Sequence, residues 1–146
     1  MNYETIIFEQ RNRVAHITLN RTGSLNAMNL AMARELMYAA IQCDDDPAIR
    51  AVHLTGAGNA FSAGGDLEEF ASAEHTAPAL LRELTTYLHA AISRFARMDA
   101  PVVMAVNGVA AGAGMSLVCA ADLAFAANSA KFTSAYQRIG LTPDGS

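Results

Sequence analysis

Two short stretches, FSAGGDL at 61–67 and GVAAGAGMSL at 108–117, put glycine and alanine where backbone amides would meet a ligand. Turns built from such residues leave N–H groups free at a helix start, with no β-carbon to block an approaching atom. One turn of this kind is ordinary strand-to-helix geometry. Two in one chain can each aim a donor at one shared negative charge, the chemistry of an oxyanion hole. Side chains able to move a proton are scarce nearby, since residues 106–126 hold a single carboxylate, Asp122. The sequence places it after an apolar helix, as a structural hydrogen-bond acceptor. A second carboxylate, Asp144, sits in IGLTPDGS. Pro143-Asp144-Gly145 reads either as a β-turn or as the site of a base. Asp66 either caps the helix that follows it or touches the ligand. Glu68 and Glu69 suit the positive end of that helix and read as a solvated face.

The elements that position these residues follow from periodicity. RVAHITLN alternates, with Ala15, Ile17 and Leu19 on one face and Val14, His16 and Thr18 on the other, as a half-buried strand does. His16 and His53 lie in strand patterns and read as packed core or edge residues. From Asn29, a plausible N-cap, LAMARELMYAAIQ places Ala33, Leu36, Met37, Ala40 and Ile41 at helical spacing. AVHLT at 51–55 is a short buried strand, and the glycine-rich 56–70 reads as a loop feeding a helix start. A longer helix from about Pro78 to Met98 carries the stripe Leu81, Leu84, Leu88, Ile92 and Phe95, with Pro101 beyond its end. VVMAV at 102–106 is apolar throughout, as a strand covered on both faces is, and LAFA at 123–126 is another strand. Strands alternating with helices give an α/β chain with parallel strands joined by crossovers.

A chain of 146 residues is long enough for one packed core, and no repeat or linker divides it. The net charge of −4 supplies no basic stripe for nucleic acid. Charges interrupt MNYETIIFEQRN where an export signal would be apolar, and no uncharged run is long enough to span a membrane. Cys43 and Cys119 have no CxxC or histidine-rich neighbours, so the expectation is two reduced core thiols, no metal, and a cytoplasmic protein.

VVMAVNGVAAGAG also fits the GxxxGxG turn of short-chain dehydrogenases, but its context does not. The turn begins at residue 108 rather than near the start, Tyr136 is followed four residues on by Gly140 instead of lysine, and no acidic residue lies at the expected downstream distance. The set ITLNRTGSLNAMN, LTGAGNAFSAGGDLEEF, PVVMAVNGVAAGAGMSLVCAADLAFA and KFTSAYQRIGLTPDG instead resembles the enoyl-CoA hydratase/isomerase (crotonase) superfamily, in order and spacing, over nearly the whole chain. The resemblance implies a crotonase-like spiral of ββα units with parallel strands. It implies a core domain over 1–146 without the family's C-terminal helices, assembled in the whole protein as a homotrimer or a dimer of trimers.

By the same resemblance the oxyanion donors are the amides of Ala63 and Ala113, and the acyl-CoA ligand is held by Ser24, Leu25, the stretch Ala63, Gly64, Gly65, Asp66 and Leu67, and by Gly112 and Tyr136. Coenzyme A enters as part of the substrate, with no separate cofactor. Family hydratases use two glutamates, and the matching positions here are Ser116 and Tyr136, neither able to activate water as a carboxylate pair does. Asp144 matches the single acid of the family's isomerases. One carboxyl suffices there, because it takes a proton from one carbon and returns it to another, and burial beside an acyl chain favours a group that works in both protonation states. The expectation is an acyl-CoA isomerase that shifts a double bond through a thioester enolate. The alternatives are another crotonase-type reaction (hydratase, hydrolase or dehalogenase) or a non-catalytic CoA-binding protein.

Overall fold

The computed structural model describes residues 2–140 and 142–143. The chain opens with β1 (Ile6–Arg11) and β2 (Val14–Leu19), an antiparallel hairpin closed by Asn12 and Arg13, both at positive φ as a two-residue primed turn requires. β1 carries no strand signal in the sequence. Among its six residues only Ile6 is buried, so the period-2 signal of a half-buried strand is absent there.

Helix α1 (Leu30–Asp45) starts where expected, the Asn29 side chain accepting from the Met32 N–H at 2.9 Å. Then come β3 (Ala51–Gly56), β4 (Ala60–Ser62), α2 (Leu67–Ser72) and α3 (Ala77–Phe95). The chain continues through β5 (Val102–Val106), β6 (Val109–Ala111), α4 (Ala113–Cys119), β7 (Leu123–Ala126), β8 (Lys131–Thr133) and a 3-10 turn at Tyr136–Ile139.

The strands form two sheets. One runs β1-β2-β3-β5-β7, parallel except for the opening hairpin, and the other runs β4-β6-β8, all parallel. Each pass of the chain therefore lays one strand in the large sheet, the next in the small sheet, and then turns into helix. β3-β4-α2-α3 and β5-β6-α4 are two such passes, and β7-β8 begins a third. This is the expected ββα spiral.

The core lies between the large sheet and the helices. Ala15, Ile17, Leu19, Val52, Leu54, Val102 and Met104 meet Met32, Leu36, Ala39 and Ala40 of α1 and Leu88, Ala91 and Phe95 of α3, all buried. Residues 14, 16 and 18 are half-buried on the other face, where the His16 and His53 rings stand 5.3 Å apart. The Glu35 carboxylate, itself buried, accepts from the N–H groups of Glu4, Thr5 and Ile6 and from the Thr5 hydroxyl, which fixes the start of β1 to α1. Asp122 accepts from the Val102 N–H at 2.7 Å, tying the segment after α4 to the start of β5.

The thiols differ from expectation. Cys43 is in the core, but Cys119 is exposed. The buried face of α4 carries Ala113, Gly114, Ser116 and Leu117, and residue 119 points off that face. Burial, followed by the charges of Asp46 and Asp44, pushes the Cys43 thiol up to about 12. A thiol reagent at neutral pH should label Cys119 quickly and Cys43 only after unfolding; mapping the labelled peptide checks this. Among the described residues no helix is long and apolar enough to cross a membrane.

Candidate active site

The two glycine turns come together at the ends of the small sheet. The first leaves β4 and the second leaves β6, and because β4 and β6 are parallel neighbours both turns emerge on the same side. Gly64 and Gly112 have φ of +99° and +46°, which side chains other than glycine rarely adopt. A β-carbon at Gly64 would lie 3.0 Å from the Ala111 carbonyl oxygen, and one at Gly112 would lie 3.7 Å from the Gly64 Cα. Two backbones in such close approach leave no room for side chains between them.

The amides of the first turn are not equivalent. The Ala63 N–H, the donor expected from the sequence, already bonds to the Leu25 carbonyl at 3.0 Å. Next in line, the Met28 N–H donates to the Gly64 carbonyl and the Asp66 N–H donates to the Met28 carbonyl, a parallel bridge flanking Gly65. In extended chain successive amides point to opposite sides. The Gly65 N–H therefore faces away from this bridge and has no acceptor among the described residues. In the second turn the Gly112 N–H bonds to the Thr133 carbonyl, while the amide of Ala113, the first residue of α4, has no helical partner. Each turn thus offers an amide with no acceptor among the described residues, Gly65 in the first and Ala113 in the second.

Both border a cavity of about 190 Å³ lined by Ala63, Gly64, Gly65, Leu67, Gly112, Ala113 and Tyr136. Seven of the residues singled out from the sequence therefore share one site. Its far wall is Phe70, Leu81, Leu84, Thr85 and Leu88. The sequence reading assigned the three leucines to the core stripe of α3. Only the C-terminal part of that stripe packs solely into the core; the N-terminal part also faces the cavity, and Leu81 is half-buried. Phe70 gave no signal of its own. No carboxylate lines the cavity among the described residues. Asp144 lies outside them.

Ser24, Leu25 and Asp66 are not part of the lining. Ser24 and Leu25 belong to a loop docked beside the first turn. Asn26, fully buried, accepts from the Arg21 N–H and donates to the Ala57 and Ala60 carbonyls, and the Ser62 hydroxyl donates to the Asn26 carbonyl. Asp66 caps α2, accepting from the Glu68 and Glu69 amides, and pairs with Arg21 at 2.8 Å. Glu69, expected on a solvated face, accepts from the Leu30 N–H and links α2 to the start of α1. Neither Arg21 nor Asn26 stood out in the sequence, because their partners are remote along the chain.

Burial alone pushes the Asp66 carboxyl up, as the largest single influence. The Glu69 amide, the Arg21 guanidinium and the Glu68 amide together outweigh it and hold the group below its ordinary value. A depressed carboxyl stabilises the fold above its unfolded value, about 3.9, and that contribution is lost as pH falls through the lower folded value. Asp66→Asn should cost about 2 kcal/mol near neutrality. The gap in melting temperature from the parent should then narrow below about pH 4. A gap of constant size down to pH 2 would show that the charge is not what holds the turn.

Ser116 and Tyr136, remote in sequence, meet at this site. Their hydroxyl oxygens are 3.2 Å apart, with Ser116 buried and Tyr136 half-buried on the cavity wall.

Residues 9–146 match the family model for enoyl-CoA hydratase/isomerase. The chain is 40% identical over 143 residues to the 1,2-epoxyphenylacetyl-CoA isomerase of Escherichia coli K12, covering 97% of this chain and 54% of that protein. It is 44% identical over 144 residues to a probable enoyl-CoA hydratase of Rhodobacter capsulatus, covering 99% of this chain and again 54% of the relative. Among solved structures, an enoyl-CoA hydratase from Polaromonas sp. JS666 superposes with a TM-score of 0.89 at 34% identity, over 96% of this chain and 55% of that one. The chain thus spans about half the length of the relatives it matches.

Proposed function

Because the chain belongs to the enoyl-CoA hydratase/isomerase family and has the crotonase fold, we propose that it carries the thioester-binding site of an acyl-CoA isomerase. The observation that carries this reading is the pair of uncommitted amides, Gly65 and Ala113, facing one apolar cavity whose described lining has no carboxylate. The thioester oxygen sits between the two amides. The acyl group lies against Phe70, Leu81, Leu84 and Leu88. The loop of Ser24 and Leu25, docked beside the first turn, meets the coenzyme A portion.

Asp144 is the base. Its carboxylate removes a proton from a carbon next to the double-bond system, and the electron pair moves onto the thioester oxygen as an enolate held by the two amides. The same carboxyl then returns the proton to a different carbon, and the double bond has shifted with no atom gained or lost. Hydration would require a second carboxylate to hold water, and Ser116 and Tyr136 supply none. The isomerase among the relatives supports this assignment, although other relatives are named as hydratases. Assembly as a trimer or paired trimers in the cytoplasm belongs to the same proposal. Supporting assembly, Leu123, Phe125 and Phe132 on β7 and β8 are about half exposed or more.

The test is product analysis. Full-length protein given a 3-enoyl-CoA should yield the 2-enoyl-CoA without accumulating 3-hydroxyacyl-CoA. If the hydroxyacyl thioester is the main product, the enzyme is a hydratase and the single-base reading is wrong.

A further inference from the structure

Ser62, the last residue of β4, is fully buried where the first glycine turn begins. The register of β4 against β6 shifts just before it, Ala60 pairing with Val109 and Ser62 with Ala110. A bulge of this kind re-aims the side chain beside it. The Ser62 hydroxyl donates to the Asn26 carbonyl at 2.8 Å and accepts from the Gly64 N–H at 3.3 Å. The same side chain packs on α4. A β-carbon at Gly114 would lie 2.6 Å from the Ser62 β-carbon, 2.8 Å from its carbonyl oxygen and 2.9 Å from its hydroxyl oxygen. Gly114 is helical and has no positive φ, so its backbone would ordinarily favour alanine. The contact with Ser62, rather than conformation, demands glycine there. Gly114 directly follows Ala113, and Gly64 directly precedes Gly65.

We infer that Ser62 is a positioning residue that sets the separation of the two oxyanion amides, through its hydroxyl on the first turn and its contact with Gly114 on the second. Among the described residues no backbone hydrogen bond joins 63–66 to 112–114, so packing sets the distance between the turns. Gly64 and Gly112 allow the approach, and Ser62 against Gly114 sets where it stops. Two donors act on one oxygen only at the right separation, and a misplacement of about 1 Å can cost a factor of about 10² in rate. This inference rests on the proposed oxyanion role of Gly65 and Ala113.

The test combines turnover with infrared difference spectroscopy of full-length protein bound to hexanoyl-CoA, isotopically labelled at the thioester carbonyl carbon. Hydrogen bonds to the carbonyl oxygen lower its stretching frequency, so binding to the parent should lower it, and this readout needs no turnover. Gly114→Ala crowds the contact and Ser62→Gly empties it. Each should at least halve the lowering and reduce kcat by about tenfold or more, with KM within about threefold of the parent. Ser62→Gly combined with Gly114→Ala exchanges one side chain for the other across the same contact. Its kcat should exceed the product of the two single losses by at least about tenfold. A merely structural role gives another pattern: melting temperatures fall, the folded variants keep the parental carbonyl shift, and the losses multiply. That pattern, or parental shift and kcat in both single variants, overturns the inference and leaves the oxyanion reading standing. If the parent fails to bind hexanoyl-CoA or to lower the stretch, the oxyanion reading fails and takes this inference with it. Should Gly114→Ala not fold, Ser62→Gly alone decides by the same two readouts.

Discussion

Asp144→Asn should lower double-bond migration by a factor of about 10²–10⁴, the range that general acid–base groups contribute, while acyl-CoA affinity changes by less than about tenfold. The substitution separates the two readings of Pro143-Asp144-Gly145. Asparagine supports a turn as well as aspartate does, so the local backbone is preserved and a structural role would leave turnover near the parent level. What asparagine cannot do is accept a proton from carbon. The two amides still polarise the thioester in the variant, and they leave a residual rate above that in water.

Elimination also points to Asp144. An enolate cannot form without a base, and the described cavity wall offers only backbone, hydrocarbon, one threonine and one tyrosine. Asp66 is engaged by Arg21 and the α2 amides, and Asp122 by the Val102 amide, so the carboxylates nearest in sequence to both turns hold structure. Stopped-flow binding and steady-state turnover measured on the same preparation decide the matter. Full turnover in Asp144→Asn would transfer the role to another residue.

Much of this architecture was legible because long periodic segments obey local rules. The α1 stripe with its Asn29 cap, the alternation in β2 and the uniform apolarity of β5 all reflect which side faces the core, and they were placed within a few residues. The three-residue strands β4, β6 and β8 were hidden, since three residues are too few to show alternation, and β4 and β6 lie within glycine-rich stretches that read as loops. The choice between Ala63 and Gly65 was illegible for a related reason. Both are small and lie in the same turn, so neither residue type nor spacing distinguishes their amides. Only the bond from Ala63 to Leu25 shows which of them is free, and that bond depends on how a distant loop docks. Likewise the leucines of α3 satisfied a helical stripe, and nothing in their spacing distinguishes a leucine packed on a sheet from one facing a cavity.

The amide at residue 113 can be removed without disturbing the helix it begins. Ala113 is the first residue of α4, where proline is well tolerated because its fixed φ suits a helix start and the lost N–H has no helical acceptor. The preceding residue, Gly112, has no β-carbon to clash with the proline ring. Ala113→Pro should therefore fold, with a melting temperature within a few degrees of the parent. Its turnover should fall by a factor of about 10²–10³, as loss of one donor to a developing oxyanion typically costs. The loss should appear mainly in kcat, because the donor matters most when the negative charge has developed. Ala63→Pro provides the contrast: it breaks the bond to Leu25, loosens the loop of Ser24 and Leu25, and should reduce stability and coenzyme A affinity more than kcat. If Ala113→Pro is folded and turns over at the parental rate, residue 113 does not hold the enolate. If instead Ala63→Pro loses kcat at unchanged affinity and stability, the first-turn donor is Ala63 after all, and the Leu25 bond must open when substrate binds.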